Sequence, residues 1–250
     1  MKSLLLSSAS AVLGLALIGS APAHAVSSLT LTTYTLSTSN SDVEHGIDSS
    51  VVTGLVNSTL TGGLPTVSAF GATYSGPSGP ITDVNGAGQL LWWTPGGTTS
   101  LPTSVSTVTL PFDSGPGFFP IIPPGVTAPN NGAPYGFMSA TLEGSFLIPS
   151  PGTITLNLGS DDDAWVFIDG VLEDDNGGVH ADIVAPTTTS ALSAGTHTID
   201  VFFADRHTVQ AQLTFNADVT FAPVPEPVSM AVFGSALLGL GLARRRRAPR

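Results

Sequence analysis

Hydrophobic and polar residues alternate strictly along several stretches of the chain. From Gln210 to Phe221, apolar side chains take one face and polar ones the other, and Thr153–Leu158 and Thr198–Phe203 show the same period of two. Such alternation is typical of strands with one buried face. Ala164–Ile168 is apolar on both faces, as expected of a central strand. These patterns predict an all-β protein.

Turn residues separate the predicted strands. Asp169-Gly170 lies between two apolar runs, which predicts a tight hairpin because type I′ turns need positive φ angles. The first half is less regular, and its proline-rich connections are expected to be loops or edge segments. Its predicted strands are Leu29–Leu36, Gln89–Thr94, Val105–Phe112 and Ser139–Ile148. The fold expected for residues 26–222 is an antiparallel β-sandwich with a jelly-roll or barrel-like arrangement.

Trp92 and Trp93 are adjacent within one of these predicted strands. Neighbouring strand residues point to opposite faces, so only one of the two is expected in the core. The other is expected to cover a loop, with a sugar-stacking platform as the alternative.

Charge is distributed unevenly in this 250-residue chain of formal net charge −11. Lys2 and five arginines lie at the two ends, which leaves Arg206 as the only basic residue against 17 acidic ones between Val26 and Val224, a net charge of −16. A body without a basic surface is not a nucleic-acid-binding protein. The chain has no cysteine, which excludes a disulfide scaffold.

The N-terminus has the features of an export signal. Lys2 is followed by the apolar run Leu4–Ile18 and then by Ala23-His24-Ala25, a small-x-small cleavage site. We expect residues 1–25 to form a signal peptide, with an uncleaved membrane anchor as the alternative.

The C-terminus combines Pro225-Glu226-Pro227, the uncharged stretch 228–243 and the cluster Arg244, Arg245, Arg246 and Arg247. A helix over 228–243 would cover roughly 24 Å, short for a ~30 Å hydrocarbon layer but workable with snorkelling flanks. The arginines would remain cytoplasmic.

Residues 223–250 therefore resemble the PEP-CTERM sorting signal of Gram-negative bacteria. The resemblance implies an exported precursor tethered to the inner membrane by a transmembrane helix, cut by an exosortase-type enzyme and delivered to the cell surface or extracellular matrix. A plain tail anchor is the alternative.

Acidic residues are concentrated between Asp161 and Asp182, where eight of the 17 carboxylates fall without any lysine or arginine. The predicted hairpin would bring its far strand back towards the aspartates at its start. Ca²⁺ prefers oxygen ligands of this kind. A calcium site is one interpretation, and a solvated acidic turn is the other; the candidate ligands are Asp161, Asp162, Asp163, Asp175 and Asn176.

Three motifs follow one another in the second half of the chain: Gly159-Ser160-Asp161-Asp162-Asp163, Ile168-Asp169-Gly170 and Ala194-Gly195-Thr196-His197. With these motifs, residues 140–222 resemble the fibro-slime domain. The fibro-slime domain is similar to the β-barrel family named after anthrax protective antigen, which includes calcium-dependent, sugar-binding adhesins. In the adhesins an Asp-Asp pair holds Ca²⁺ that coordinates sugar hydroxyls, and the corresponding pair here is Asp161 and Asp162.

Arg206 is expected to form a structural ion pair with a carboxylate near the acidic hairpin. His180, His197 and His207 lack the spacing of a metal set and are expected to be hydrogen-bonded. No catalytic motif is present, although a pair of acids for glycoside hydrolysis is defined by separation in space rather than by sequence.

The sequence thus predicts a non-catalytic surface or matrix protein with a calcium-stabilised β-sandwich. The first alternative is a calcium-dependent carbohydrate-binding adhesin with an extracellular polysaccharide as partner, and the second is a glycan-active hydrolase.

Overall fold

The computed structural model describes residues 28–96, 104–109, 137–207 and 211–222. They form two antiparallel sheets, which confirms the all-β prediction. The larger sheet has six strands in the order β2-β1-β3-β8-β5-β6, and the smaller has three in the order β7-β4-β9. The strands are β1 Ser28–Leu36, β2 Ser104–Thr109, β3 Phe137–Ile148, β4 Thr155–Asp161, β5 Asp163–Ile168, β6 Val171–Asn176, β7 Ile183–Thr188, β8 Gly195–Ala204 and β9 Gln212–Ala217.

The two sheets pack face to face around an apolar core. Leu156 and Phe215 from the smaller sheet, and Val166, Val201 and Phe203 from the larger, are at most 1% exposed. The polar residues that alternate with them on β9 lie on the opposite face, as the periodicity predicts. The chain therefore forms a β-sandwich over these strands.

A second apolar layer covers the other face of the larger sheet. It is built by residues 43–93, whose regular structure is limited to two short 3₁₀ helices, Gly71–Thr73 and Leu91–Trp93, and isolated bridges. Trp92 and Trp93 are both buried in this layer, and the Trp92 ring stacks on Trp165 of β5 with centroids 6.0 Å apart. The predicted strand Gln89–Thr94, and with it the prediction of opposite faces for the two tryptophans, was wrong.

The Asp169-Gly170 turn connects β5 to β6 as predicted. Both residues have positive φ angles, 51° and 76°, as a type I′ turn requires. The outer edge of β6 is then covered by the second layer, because the Leu172 amide donates to the Ser58 carbonyl at 2.9 Å. This pairing protects an edge strand that would otherwise expose its backbone groups.

Both ends of the sandwich body meet at the same place on β3. The Ala222 amide donates to the Ser145 carbonyl at 2.6 Å. A Cβ added to Gly144 would lie 3.6 Å from the carbonyl oxygen of Ser28, the first residue of β1. Ser28 and Ala222 therefore lie side by side at one pole of the sandwich, and the opposite pole carries the aspartates between β4 and β5.

Several predictions concern residues outside the described part of the chain. These are the signal peptide 1–25, the tail 223–250 with its helix 228–243, and the part of Val105–Phe112 beyond Thr109. Among the described residues, no helix has the length and apolar character needed to cross a membrane.

Candidate functional site

Three consecutive aspartates link the two sheets. Strand β4 of the smaller sheet ends at Asp161, and β5 of the larger sheet begins at Asp163, so Asp162 lies at the corner between them. All three are at most 3% exposed, and the peptide bond between Asp161 and Asp162 is cis. The sandwich thus concentrates three buried carboxylates at one pole.

Arg206 neutralises Asp163. Its Nε donates to Asp163 Oδ2 at 2.6 Å and its Nη2 to Asp163 Oδ1 at 3.2 Å, with both side chains fully buried. Burial lowers the pKa of the guanidinium, but the charge of Asp163 and the hydrogen bond to it, together with the charges of Asp162 and Asp42, outweigh burial, and the pKa of Arg206 is raised. The guanidinium also lies 5.0 Å from the centroid of the Trp92 ring, a cation–π contact. Arg206 thus forms an ion pair with a carboxylate of the acidic window.

Asp161 and Asp162 are not neutralised in the same way. Their carboxylates lie within hydrogen-bonding reach of each other, and the backbone amide of Arg206, rather than its side chain, donates to Asp162 Oδ2 at 2.7 Å. Burial raises the pKa of Asp161 to about 6, and burial together with the charge of Asp163 raises the pKa of Asp162 well above its usual range. Two carboxylates in contact therefore share a site with low solvent access.

Asp205 adds a third carboxylate charge to this pair. It is 1% exposed, and its Oδ1 atom has no hydrogen-bond partner within the described ranges. Burial, followed by the charge of Asp162, raises the pKa of Asp205 well above its usual range. Asp205 had no signal in the sequence, because it is 43 residues from Asp162 and is brought to it by the pairing of β5 with β8.

The loop after β6 borders the pair with a histidine. His180 is 2% exposed, and its charge and that of Asp182 both act on Asp161. Its Nδ1 lies 2.9 Å from the Ala181 carbonyl oxygen, which only accepts, so Nδ1 carries a proton. The buried Nε2 is without a partner in the described part of the protein. Its position beside Asp161 had no signal in the sequence.

Asp48 of the second layer holds that loop in position. Its backbone amide donates to the Val179 carbonyl at 2.6 Å, and its Oδ2 accepts from the Val179 amide at 3.2 Å. Its other carboxylate oxygen accepts from the Tyr74 hydroxyl at 2.9 Å. The second layer is therefore part of the framework of the acidic pole.

The five predicted calcium ligands do not form one set. Asp163 is paired with Arg206, and Asp175 accepts from the Trp165 indole at 2.8 Å and from the Gly54 amide at 2.7 Å, towards the second layer. Asn176 lies at the same pole as the aspartates and donates from Nδ2 to Ser160 Oγ at 2.7 Å. The structure brings Asp161 and Asp162 together and assigns hydrogen bonds within the protein to Asp163 and Asp175.

Asp161 and Asp162 are the candidate ligands that remain for a metal ion. Within the described ranges, no group of three or more His, Cys, Asp or Glu side chains is arranged to hold a metal ion. The Asp161–Asp162 pair nevertheless has the chemistry of a hard-cation site, since its carboxylates are buried against each other beside the unpartnered Asp205 Oδ1.

Two curated proteins of Dictyostelium discoideum are similar to part of the chain. Protein psiB is 33% identical over 94 residues, which are 36% of this chain and 17% of psiB. Protein psiE is 37% identical over 73 residues, which are 28% of this chain and 15% of psiE. The chain thus spans less than a fifth of the length of either relative.

Solved structures also show distant likenesses. A PA14 domain of the MpAFP antifreeze protein covers 78% of this chain and 85% of its own, with 12% identity and a TM-score of 0.33. The match to a PA14 sugar-binding domain from an RTX adhesin covers 34% of this chain and 46% of that domain's chain, with 15% identity and a TM-score of 0.28. The match to a beta-glucosidase from Kluyveromyces marxianus covers 50% of this chain and 15% of the glucosidase chain, with 16% identity and a TM-score of 0.32.

A family match covers the part of the chain that contains the site. Residues 123–222 match the family model of the PA14 domain, and this range includes β3 to β9 with Asp161, Asp162 and Arg206. The second layer at 43–93 lies before the match. The strands that carry the acidic pole therefore match a PA14 domain.

Proposed function

We propose that the protein is a non-catalytic carbohydrate-binding protein of the cell surface or extracellular matrix. Its ligand would bind at the pole between β4 and β5, with Asp161 and Asp162 holding a calcium ion. A calcium ion bound there supplies coordination positions for the hydroxyl oxygens of a sugar. The PA14 match supports this proposal, since one PA14 domain is described as a sugar-binding domain of an adhesin.

The observation that carries the proposal is the uncompensated charge of the pair. Two buried carboxylates in contact, with a third beside them, are costly unless a proton or a cation lies between them. The only basic side chain of the body is committed to Asp163. A divalent cation with oxygen ligands satisfies the pair without any further basic residue.

The same geometry argues against glycoside hydrolysis at this pair. Hydrolysis needs two carboxyl groups about 5–5.5 Å apart for retention or about 6.5–9.5 Å apart for inversion. The carboxylates of Asp161 and Asp162 are within hydrogen-bonding reach of each other, which is closer than either of these arrangements.

Calcium titration tests the metal part of the proposal. Calorimetry of the purified full-length chain should give a saturable heat with CaCl₂, and unfolding should shift to higher temperature, by about 2.7 kcal/mol of stability at a hundredfold excess over Kd. Asp162→Asn should lose both signals. Asp218→Asn is the matched control, since Asp218 is exposed at the opposite pole. No heat and no shift in the parent chain would refute calcium binding.

A glycan array with and without EGTA tests the carbohydrate part. We expect binding to a restricted set of glycans that is lost with EGTA and with Asp162→Asn. Calcium binding without any glycan binding would leave a calcium-stabilised structural protein, as the sequence also suggested, and would refute the carbohydrate-binding proposal.

We also propose that residues 1–25 direct export and that residues 223–250 act as an exosortase-processed sorting signal of a Gram-negative bacterium. The order of Pro225-Glu226-Pro227, the uncharged stretch and the arginine cluster supports this. Mass spectrometry of the surface or matrix fraction should find a mature chain that lacks both segments. Replacing Pro225-Glu226-Pro227 by alanines should retain the precursor in the inner membrane, and unchanged release would contradict the proposal.

A further inference from the structure

Most outward residues of the smaller sheet are uncharged in a protein that is otherwise strongly acidic. Leu156 and Leu158 of β4 and Leu213 and Phe215 of β9 point into the core, so the residues between them point outwards. The strand register places the outward residues in three rows: Thr188-Thr155, Pro186-Asn157-Asn216 and Val184-Gly159-Thr214, with Gln212 at the end beside Asp161.

These residues offer hydrogen bonds without charge. Asn157, Asn216 and Gln212 each carry a donor and an acceptor, and the threonines carry hydroxyls that do both. Neighbouring strands place such groups about 4.7–4.9 Å apart across the sheet. In the described ranges, carboxylates lie towards the two ends of this face: Asp161 and Asp182 at one pole, with Asp182 Oδ1 3.1 Å from the position of a Cβ on Gly159, and Asp218 at the other.

One apolar side chain, that of Val184, covers the face at Gly159. A Cβ on Gly159 would lie 2.4 Å from Val184 Cγ2, so the valine side chain lies directly over β4 there, and it is 53% exposed. Amide and hydroxyl groups thus flank an exposed aliphatic patch. Sugar rings present the same two kinds of surface, hydroxyl edges and C–H faces.

We propose that this face, defined by the nine outward residues Thr155, Asn157, Gly159, Val184, Pro186, Thr188, Gln212, Thr214 and Asn216, binds the extended chain of a neutral polysaccharide. The inference rests on the proposed function, because the β4 row ends at Asp161 and the face is therefore continuous with the calcium-dependent site. Charge selects the occupant: an anionic chain is repelled by a body of net charge −16, and the nine residues that define the face carry no carboxylate for a cationic chain to bind.

The test separates the two sites by ligand length. Affinity electrophoresis of the full-length chain with CaCl₂ is run in gels that contain dextran, mannan, laminarin, galactomannan or, as the anionic comparison, alginate. Calorimetry with the monosaccharide of the polymer that retards the chain then measures the pole alone. The variants are Asn157→Ala with Asn216→Ala, Asp162→Asn, and Thr53→Ala as a control at an exposed position of the second layer.

We expect a neutral polymer to retard the parent chain and the Thr53→Ala control equally. The double asparagine variant should bind the polymer about tenfold more weakly, the loss of two hydrogen bonds, with unchanged affinity for the monosaccharide. Asp162→Asn should lose both ligands. Monosaccharide binding with no retention by any neutral polymer would overturn this inference and leave the proposed function intact.

Three further results would also overturn it. These are unchanged polymer affinity in the double asparagine variant, retardation by alginate rather than by neutral polymers, and a dimer in light scattering that the double variant abolishes. A parent chain that binds neither polymer nor monosaccharide would refute the proposed function itself.

Discussion

Replacing Arg206 by methionine tests the most heavily bonded buried side chain of the acidic pole. Arg206 is fully buried and donates to both oxygens of Asp163, to the Asp42 carbonyl at 3.2 Å and to the Ser78 carbonyl at 3.5 Å. Methionine keeps much of the apolar stem but removes the charge and every one of these donors. Asp163 would then remain as a buried carboxylate without its cation.

The expected loss of stability follows from that uncompensated charge. Removing one partner of a buried ion pair costs about 3–5 kcal/mol, a large part of the 5–15 kcal/mol that typically separates folded from unfolded protein. At roughly 2–4 °C per kcal/mol for a body of this size, Tm should fall by about 10 °C. The Tm of Arg206→Lys should lie between those of the parent chain and Arg206→Met, because lysine keeps the charge but lacks the planar guanidinium.

Tryptophan fluorescence during thermal unfolding measures the effect. Trp92 and Trp93 lie in the second layer, Trp165 of β5 packs against it, and Trp92 contacts the guanidinium directly. The double variant Arg206→Met with Asp163→Asn is the control, since removal of the carboxylate charge should restore a substantial part of the lost stability. An unchanged Tm in Arg206→Met, or a double variant no more stable than the single one, would refute the argument.

Two further predictions concern other parts of the fold. Gly71→Ala should destabilise the second layer, because the new Cβ would lie 2.1 Å from the Leu55 carbonyl oxygen, whereas Gly86→Ala, with no atom within 4 Å, should leave Tm unchanged; equal effects would contradict the packing argument. His197→Gln should lower Tm most between about pH 4 and 6.5. Hydrogen bonding to Asp169 raises the pKa of His197, so the stabilisation by the protonated histidine is full below the usual histidine pKa and is lost as pH rises through the raised pKa. The pKa of Asp169 is lowered, so the stabilisation by its carboxylate is present above the usual aspartate pKa and is lost as pH falls through the lowered pKa. A pH-independent difference in Tm would contradict the ion pair.

The strands of the sandwich could be predicted because alternation and turn residues depend only on residues that are close together in the sequence. The alternation in β9 and the Asp169-Gly170 turn specify which side chains face inward and where the chain reverses, and the structure confirms both. Strand β7, which contains Pro186, was not predicted. The strand tolerates a proline since it lies at the edge of its sheet.

Long-range features could not be predicted in the same way. Trp92 and Trp93 are both buried because a 3₁₀ turn, unlike a strand, does not direct adjacent residues to opposite faces. Asp205 and His180 approach the Asp161–Asp162 pair only through the pairing of β5 with β8 and through the loop fastened by Asp48. The acidic window identified the region, while its division into a neutralised Asp163 and an uncompensated pair needed the tertiary structure.

The adjacency of Ser28 and Ala222 on β3 determines how the body can be attached to anything else. A segment joined before Ser28 or after Ala222 leaves from the pole opposite Asp161 and Asp162, roughly 20 Å away along β3 from Ser145 to Ser139. A body attached through Ser28 or Ala222 therefore has its acidic pole on the side that faces away from the attachment. The same adjacency makes the body a natural candidate for circular permutation, in which a short linker joins Ala222 to Ser28 and new ends open elsewhere.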